Sequence, residues 1–498
     1  MLSTIQTPGV YIQELNAFPD GIIPVPTAVT AFIGYTEKAV NGINAVRISS
    51  LAECEQQFGK GPVGFMQFTI RATAAGAVSK PLQPVITIAE KNYLVERASA
   101  AFYLYHSIAL FFANGGADCY IISVGDYSKT PSLADLSAGL DILTKEPEPT
   151  ILVIPDAVAL SAADHAMLVQ QSLAHCETTQ QRVAIVDIHD GAVSDPSEVD
   201  AVIDDFRKGT GNTGLSYGAA YFPWLVTGIA VRSEISFVNL PEDLADYLEN
   251  TPAVTEALKP LPALCLAFSK DPANPLITQQ IQDANTALLS VSKQYYELVS
   301  AALQILNILP PSAAMAGIYA LQDAMYTVSK APANVTLAAV LSPTVNLTDQ
   351  QQMSLNVHAS GKSVNALRAF QMKGVVAWGA KTLDDHEVFF RYINVRRTMM
   401  FIEQSIKLGL RSFVFAPNVA DTWVTIKNTI ENFLFGFWKS GGLAGSIPAD
   451  AYVVEVGLGS TMSEEDILYG FLRVTVLIAV SHPGEFIEIS FEQQMQRS

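Results

Sequence analysis

The chain has 498 residues, enough for two to four domains with sizeable cores. Hydrophobic residues make up 49% of it and charged residues 16%, a balance that excludes a disordered chain. A net charge of −18 excludes affinity built along a nucleic-acid backbone, where basic density supplies the binding energy.

The first residues predict a short extended segment, with Thr7-Pro8-Gly9 as a turn and a strand formed by Val10, Tyr11, Ile12, Gln13 and Glu14. A link spaced by Pro19, Pro24 and Pro26 leads to a strand over 29–33. Residues 60–98 are rich in glycine and alanine, with strand-like pieces such as 85–88, and read as an insertion. A helix over 99–113 stops at Gly115-Gly116 and passes to a strand over 119–124. The alternation repeats as helix 132–144 to strand 150–154, helix 162–176 to strand 182–188, and helix 197–207 to strand 219–225. Such alternation predicts parallel crossover units and a doubly wound α/β sheet.

A long helix over 278–308 stops at Pro310-Pro311, and another over 312–328 ends before Pro332. After Leu347 the pattern changes to α+β. Strands over 374–380, 451–456 and 472–480 alternate with two amphipathic helices. One places Val395, Met399, Ile402 and Ile406 on a face. The other places Trp423, Ile426, Ile430, Phe433 and Phe437 on a face and is closed by Gly441-Gly442. Beyond Pro483-Gly484 a last strand covers Phe486, Ile487, Glu488, Ile489, Ser490 and Phe491. Ile487, Ile489 and Phe491 share one face, and Glu488 and Ser490 the other. It is either an edge of its own sheet or a donor to another molecule.

Charge is unevenly spread. The first 344 residues carry 17 basic and 33 acidic side chains, whereas 361–411 carries 9 and 4. Cys54, Cys119, Cys176 and Cys265 form no pair or ligand spacing and read as small hydrophobes in a reducing compartment. The N-terminus lacks basic and apolar signal regions, and the apolar stretch 474–480 is too short to span a bilayer. Folding in the cytoplasm is expected, with any export independent of a classical signal.

Several fragments suggest chemistry and fail on context. Gly214-Leu-Ser216-Tyr-Gly218 has nucleophile-elbow spacing, but that motif needs a strand before it and a helix after it. Here a strand follows. Asp187 and His189 are the partners Ser216 would need as a hydrolase. Gly361-Lys362-Ser363 resembles the end of a phosphate loop, but Asn356 occupies the place of the first glycine. His106, His165, His175, His358, His386 and His482 show no metal-ligand spacing. No catalytic residue, cofactor or metal is expected.

Collinear segments resemble the contractile tail sheath family. Thr7-Pro-Gly-Val-Tyr-Ile-Gln-Glu14 is similar to its opening strand, and Val25-Pro-Thr-Ala-Val-Thr-Ala-Phe-Ile-Gly-Tyr-Thr36 to the entry of its first domain. Tyr217-Gly-Ala-Ala-Tyr-Phe-Pro-Trp-Leu225 resembles an inner strand. Pro310-Pro-Ser-Ala-Ala-Met-Ala-Gly-Ile-Tyr319 and Lys330-Ala-Pro-Ala-Asn334 resemble the join to its C-terminal part. Val364-Asn-Ala-Leu-Arg-Ala-Phe370, Gly374-Val-Val-Ala-Trp-Gly-Ala-Lys-Thr-Leu383, Tyr392-Ile-Asn-Val-Arg-Arg397 and Pro483-Gly-Glu-Phe-Ile487 resemble its C-terminal core and close. The single-chain layout is similar to sheaths of contractile phages and phage-like extracellular injection particles. Gln371-Met-Lys373 and the segment 60–98 depart from the pattern.

The resemblance implies an N-terminal arm over 1–24, a subtilisin-like doubly wound sheath domain over 25–345, an α+β C-terminal sheath domain over 346–480, and a C-terminal arm over 481–498. It implies arms that exchange strands between subunits while the linkers around 19–26 and 481–484 flex. The implied partners are further copies in helically stacked, hexameric rings, an inner tube protein, and baseplate and terminal cap proteins, without nucleic acid or membrane insertion. Assembly in the bacterial cytoplasm and release by lysis follow from it. The acidic front half is then the outer wall. The basic stretch 361–411 or the helix 423–438 faces an acidic tube, with Lys427, Lys439, Arg396 and Arg397 as candidate contacts. For the two arginines internal ion pairs are the alternative. The competing readings are a serine hydrolase using Ser216 and a non-contractile tube or capsid protein.

Overall fold

The structure, a computed structural model, describes residues 21–39, 44–74, 76, 78–272 and 274–485. The expected terminal strands, 10–14 and 486–491, lie outside the described residues. The chain divides into two compact units. The larger is Pro26–Met400 with His482–Ser498, and the smaller is Met1–Val25 with Phe401–Ser481.

In the larger unit β1 (Thr30–Thr36) and β2 (Ala45–Ile48) precede α1 (Leu51–Phe58). Three strands follow, β3 (Phe68–Thr73), β4 (Val85–Ile88) and β5 (Lys91–Arg97), and then α2 (Leu104–Ala113). The crossover series is β6 (Cys119–Asp126), α3 (Leu133–Leu143), β7 (Ile151–Val153), α4 (Ala162–Thr179), β8 (Val183–Val186), α5 (Val199–Gly209) and β9 (Gly218–Phe222). Next come β10 (Leu225–Thr227), α6 (Pro252–Leu258), α7 (Leu261–Lys270), α8 (Pro275–Val291), α9 (Lys293–Leu306), β11 (Ile308–Leu309) and α10 (Ser312–Met325). The unit closes with β12 (Val335–Thr336), β13 (Val340–Pro343), α11 (Asp349–Asn356), β14 (Asn365–Phe370), β15 (Gly374–Ala377) and the first part of α12 (Ile393–Gly409).

The main sheet has nine strands in the order β12-β15-β14-β9-β8-β7-β1-β6-β2. From β6 through β1, β7, β8 and β9 to β14 every pair is parallel. Its central strands β1, β7, β8 and β9 are buried throughout, as a sheet covered on both faces requires. Helices α3 and α4 pack together on the sheet, and α2 packs separately with α10, so the winding is double as expected.

Two expectations need correction. The strand over 219–225 is two strands, because Pro223 has no N–H for the ladder. β9 stays in the main sheet, and β10 joins a separate sheet in the order β11-β10-β13. The helix over 278–308 is also two, because Ser292 adopts an extended backbone and its hydroxyl caps α9 through the Tyr295 N–H. Residue 346 itself lies in the larger unit, where β14 pairs in parallel with β9 (Asn365 with Tyr221, Ala366 with Phe222).

The segment 60–98 gives the sheet β3-β5-β4. Met66, Phe68, Ile70 and Val95 share a second core with Phe237, Leu288, Tyr295, Leu298 and Ile305. This core is separate from that of the main sheet, so the insertion is half of a module whose other half is supplied by 230–306.

The smaller unit contains the rest of α12, α13 (Ala420–Lys439), β16 (Tyr452–Val456) and β17 (Val474–Ile478). α13 buries Ile426, Ile430, Leu434 and Phe437, and Phe401 stacks on Phe433 and Phe437 at 5.9 and 5.2 Å. Gly441, at φ +83°, reverses the chain after α13. A Cβ on Gly442 would lie 2.4 Å from the Phe437 ring, so both glycines are required there.

Candidate assembly site

In open parallel sheets ligands bind beyond the carboxyl ends of the strands, where strand order reverses. Here the order reverses between β1 and β7. That position is filled from within by Asp156, just past β7. Its carboxylate accepts the backbone N–H of Tyr35 at 2.8 Å, of Tyr103 at 2.6 Å and of Leu104 at 3.2 Å, the last two at the start of α2. A Cβ on Gly34 would lie 2.5 Å from this carboxylate. Burial outweighs the three donors and pushes the Asp156 carboxyl up to about 6.

One strand along, Asp187 is used in the same way. It accepts the Ser312 N–H at 2.8 Å and the Ser312 hydroxyl, capping α10. Burial pushes it up to about 7. The N-termini of α2 and α10, which could otherwise hold a ligand anion, are thus occupied by the chain's own carboxylates. Asp156 was missed in the sequence. The available signal was an acidic residue directly after a wholly apolar strand.

The hydrolase arrangement is not formed. Asp187 and His189 follow the carboxyl end of β8, whereas Ser216 precedes the amino end of β9, its parallel neighbour. The three residues therefore stand at opposite ends of the sheet. The His189 ring contacts the Leu160 carbonyl at 3.0 Å and the Asp190 carboxylate at 3.0 Å, and Ser216 Oγ accepts from Arg396 at 2.9 Å. Lys362 likewise is no phosphate ligand, since it is buried and donates to the Arg207 carbonyl at 2.7 Å.

Much of the basic stretch 361–411 is tied internally, although Lys373, Lys407 and Arg411 are exposed. Arg397 pairs with Asp323 at 2.6 Å, both side chains almost fully buried, and also donates to the Thr27 carbonyl. Arg396 lies buried between the rings of Tyr217 and Phe390. Lys381 and Arg391 both hold Asp385, and Arg368 pairs with Asp349. For Arg396 and Arg397 these internal ties favour the alternative of the two expected roles, because burial demands partners that their own fold supplies. Lys427 is half-buried beside Glu431 at 3.7 Å, and Lys439 is exposed at the end of α13.

The opposite situation holds at β16 and β17. These pair only with each other among the described residues, antiparallel, from Tyr452 with Ile478 to Val456 with Val474. Ala479 donates to the Ala451 carbonyl, so by antiparallel alternation 453/477 and 455/475 exchange the inner hydrogen bonds. Val454 and Val456 on one strand, and Val474 and Val476 on the other, then direct their backbone groups outward. A single bridge, Leu443 with Val480, touches the ribbon just past β17. One face packs on α13 through Val454, whereas Val453 and Leu477 stand exposed on the other. A two-stranded ribbon with no third strand among the described residues is a template for further strands.

No helix among the described residues is long and apolar enough to cross a membrane, and no group of three or more His, Cys, Asp or Glu there is placed to hold a metal ion.

Neither a protein-family model nor a curated protein sequence matches the chain. Among solved structures, the fold is shared with chains of contractile injection systems. One is from an extracellular contractile injection system, the PVC sheath complex in its contracted state, with a TM-score of 0.60 and 24% identity over 99% of both chains. Another is the anti-feeding prophage (AFP) helical sheath in its contracted state, with a TM-score of 0.61 and 23% identity over 98% of this chain and 99% of that one. A chain of the contracted AFP baseplate gives 0.63 and 23% over the same shares.

Proposed function

We propose that this chain is a structural subunit of a contractile tail-like sheath. It polymerises as helically stacked, hexameric rings around an inner tube and contracts to drive that tube through a target envelope. The observation that carries the reading is the open-edged β16–β17 ribbon, in a chain whose whole length shares the fold of sheath chains. The larger unit is the subtilisin-like sheath domain, its ligand-binding end closed by Asp156 and Asp187.

The terminal segments supply the missing strands. Residues 10–14 and 486–491 of neighbouring copies add to the ribbon. The alternation of apolar Ile487, Ile489 and Phe491 with polar Glu488 and Ser490 suits a ribbon buried at Val454 on one side and exposed at Val453 and Leu477 on the other. Strand donation is heterologous, and heterologous contacts propagate into rings or open helices. The donated backbone bonds persist while subunits rotate from a metastable extended packing to a tighter one. Even ~1 kcal/mol per subunit, small against ordinary domain stability, sums over many copies to substantial work without a nucleotide. Lys427 and Lys439 on α13 remain the candidate tube contacts. Baseplate and cap proteins end the filament, which assembles in the bacterial cytoplasm and is released by lysis.

Negative-stain microscopy of purified particles tests the reading. Sheaths of two lengths and diameters are expected. Filaments of one fixed diameter, or closed shells, would establish a static tube or capsid protein instead.

A further inference from the structure

Glu485 stands one residue ahead of the segment 486–491 and is held at both oxygens. Asn356 Nδ2 donates to one at 2.9 Å and the Tyr392 hydroxyl to the other at 2.7 Å. The His482 ring lies edge-on to Tyr392, with centroids 6.5 Å apart. Asn356 is the last residue of α11, and Tyr392 directly precedes α12. Both are fixed to Lys381, which is buried. The Asn356 carbonyl accepts from Lys381 Nζ at 3.2 Å, and Tyr392 forms a β-bridge with Lys381. Burial, then the bond to Glu485, push the Tyr392 phenol up to about 12, so it remains a donor across the physiological range.

The chain crosses from the smaller to the larger unit between Ser481 and His482. The C-terminal linker is therefore tied to the larger unit. The N-terminal linker is tied to the smaller one, where Ile22 packs on Gly409 and the Val25 N–H donates to Ser405. We propose that Glu485 is a clasp that fixes the point at which the C-terminal arm leaves its subunit, and with it the register in which the arm reaches a second copy. This rests on the strand-donation reading above. With the clasp closed, the donated strand begins at the next residue and there is no slack. With it open, residues 482–485 add about 13 Å of reach, and the arm's effective concentration at the acceptor edge falls. Glu485 is a positioning residue, invisible in the sequence because its partners lie about a hundred positions away.

The test uses the full chain and Glu485→Ala, Glu485→Gln and Tyr392→Phe, with a chain ending at 485 as reference. The critical concentration for polymerisation is read by sedimentation, and hydrogen exchange at 482–485 is read in the unpolymerised subunit. Glu485→Ala is expected to raise the critical concentration about threefold to tenfold and to speed exchange at 482–485, with an unchanged melting temperature. Tyr392→Phe shifts both in the same direction, Glu485→Gln has an intermediate effect, and Tyr392→Phe adds nothing to Glu485→Ala. Unchanged concentration and exchange in both single variants, with the shortened chain unable to polymerise, overturns the clasp and leaves strand donation standing. Normal polymers from the shortened chain overturn strand donation, and the clasp with it.

Discussion

The carboxyl end of the main sheet and the edges of the β16–β17 ribbon treat backbone groups in opposite ways. At β7 and β8 the nearby helix N-termini are satisfied by Asp156 and Asp187, side chains of the same molecule. At β16 and β17 the outward backbone groups of Val454, Val456, Val474 and Val476 meet no strand among the described residues. Buried polar groups must find partners, and exposed edges invite them. In this chain the end of the fold that usually recruits ligands is closed, and a small sheet at the other end of the sequence is left open. The difference is what favours the proposed reading of backbone pairing between subunits.

The largest expected effect comes from removing the donor. A chain lacking 486–498 should fold and should not polymerise, as sedimentation and microscopy will read. The acceptor is tested separately by Val476→Pro. Proline there removes an outward N–H and spares the inner bonds at 453/477 and 455/475. Polymer should again be lost, while the subunit loses only about 1–2 kcal/mol, mostly from packing. Normal filaments from this variant would mean that strands do not add at β17.

The closed end is tested by Asp156→Ala, which leaves three backbone donors without an acceptor. The expected loss is about 3–5 kcal/mol by chemical denaturation. Its pH dependence has a definite sign. Both carboxyls are raised by burial, Asp156 to about 6 and Asp187 to about 7, from an ordinary value of 3.8. Their stabilising contribution is complete below the unfolded value and is lost as pH rises through the folded ones. Between pH 5 and 8 the wild type should lose on the order of 3 kcal/mol more than the doubly substituted Asp156→Asn, Asp187→Asn chain. Urea unfolding at the two pH values reads the difference.

The crossover series was legible because each strand is a short apolar run bounded by helices of ordinary length, as at 119–124 and 162–176. The ends of elements were less legible. Ser292 and Pro223 break their segments through single-residue backbone effects that an apolar pattern spans without interruption. The fate of the basic stretch was not legible at all. Arg397 looks like any arginine beside an apolar stripe until α12 sets it against Asp323, 74 positions away. Asp156 and Glu485 escaped for the same reason, since a carboxylate's role depends on which N–H or O–H groups the topology carries to it.

Those buried arginines sharpen the last and smallest effect. Lys427 and Lys439 are the sequence-predicted contact residues that the fold leaves at the surface of α13. An exposed lysine with one loose carboxylate neighbour contributes little to its own subunit, so replacing either by alanine should change unfolding stability by less than about 0.5 kcal/mol. Arg397→Ala should instead cost about 3–5 kcal/mol, because it strands Asp323 in the interior. If the lysines grip an acidic tube, the double alanine variant should still form sheath but release its tube at lower salt than the wild type, as co-sedimentation across a salt series will show. Tube retention at the wild-type salt concentration would remove α13 as the inner contact and leave strand pairing as the proposed role of the smaller unit.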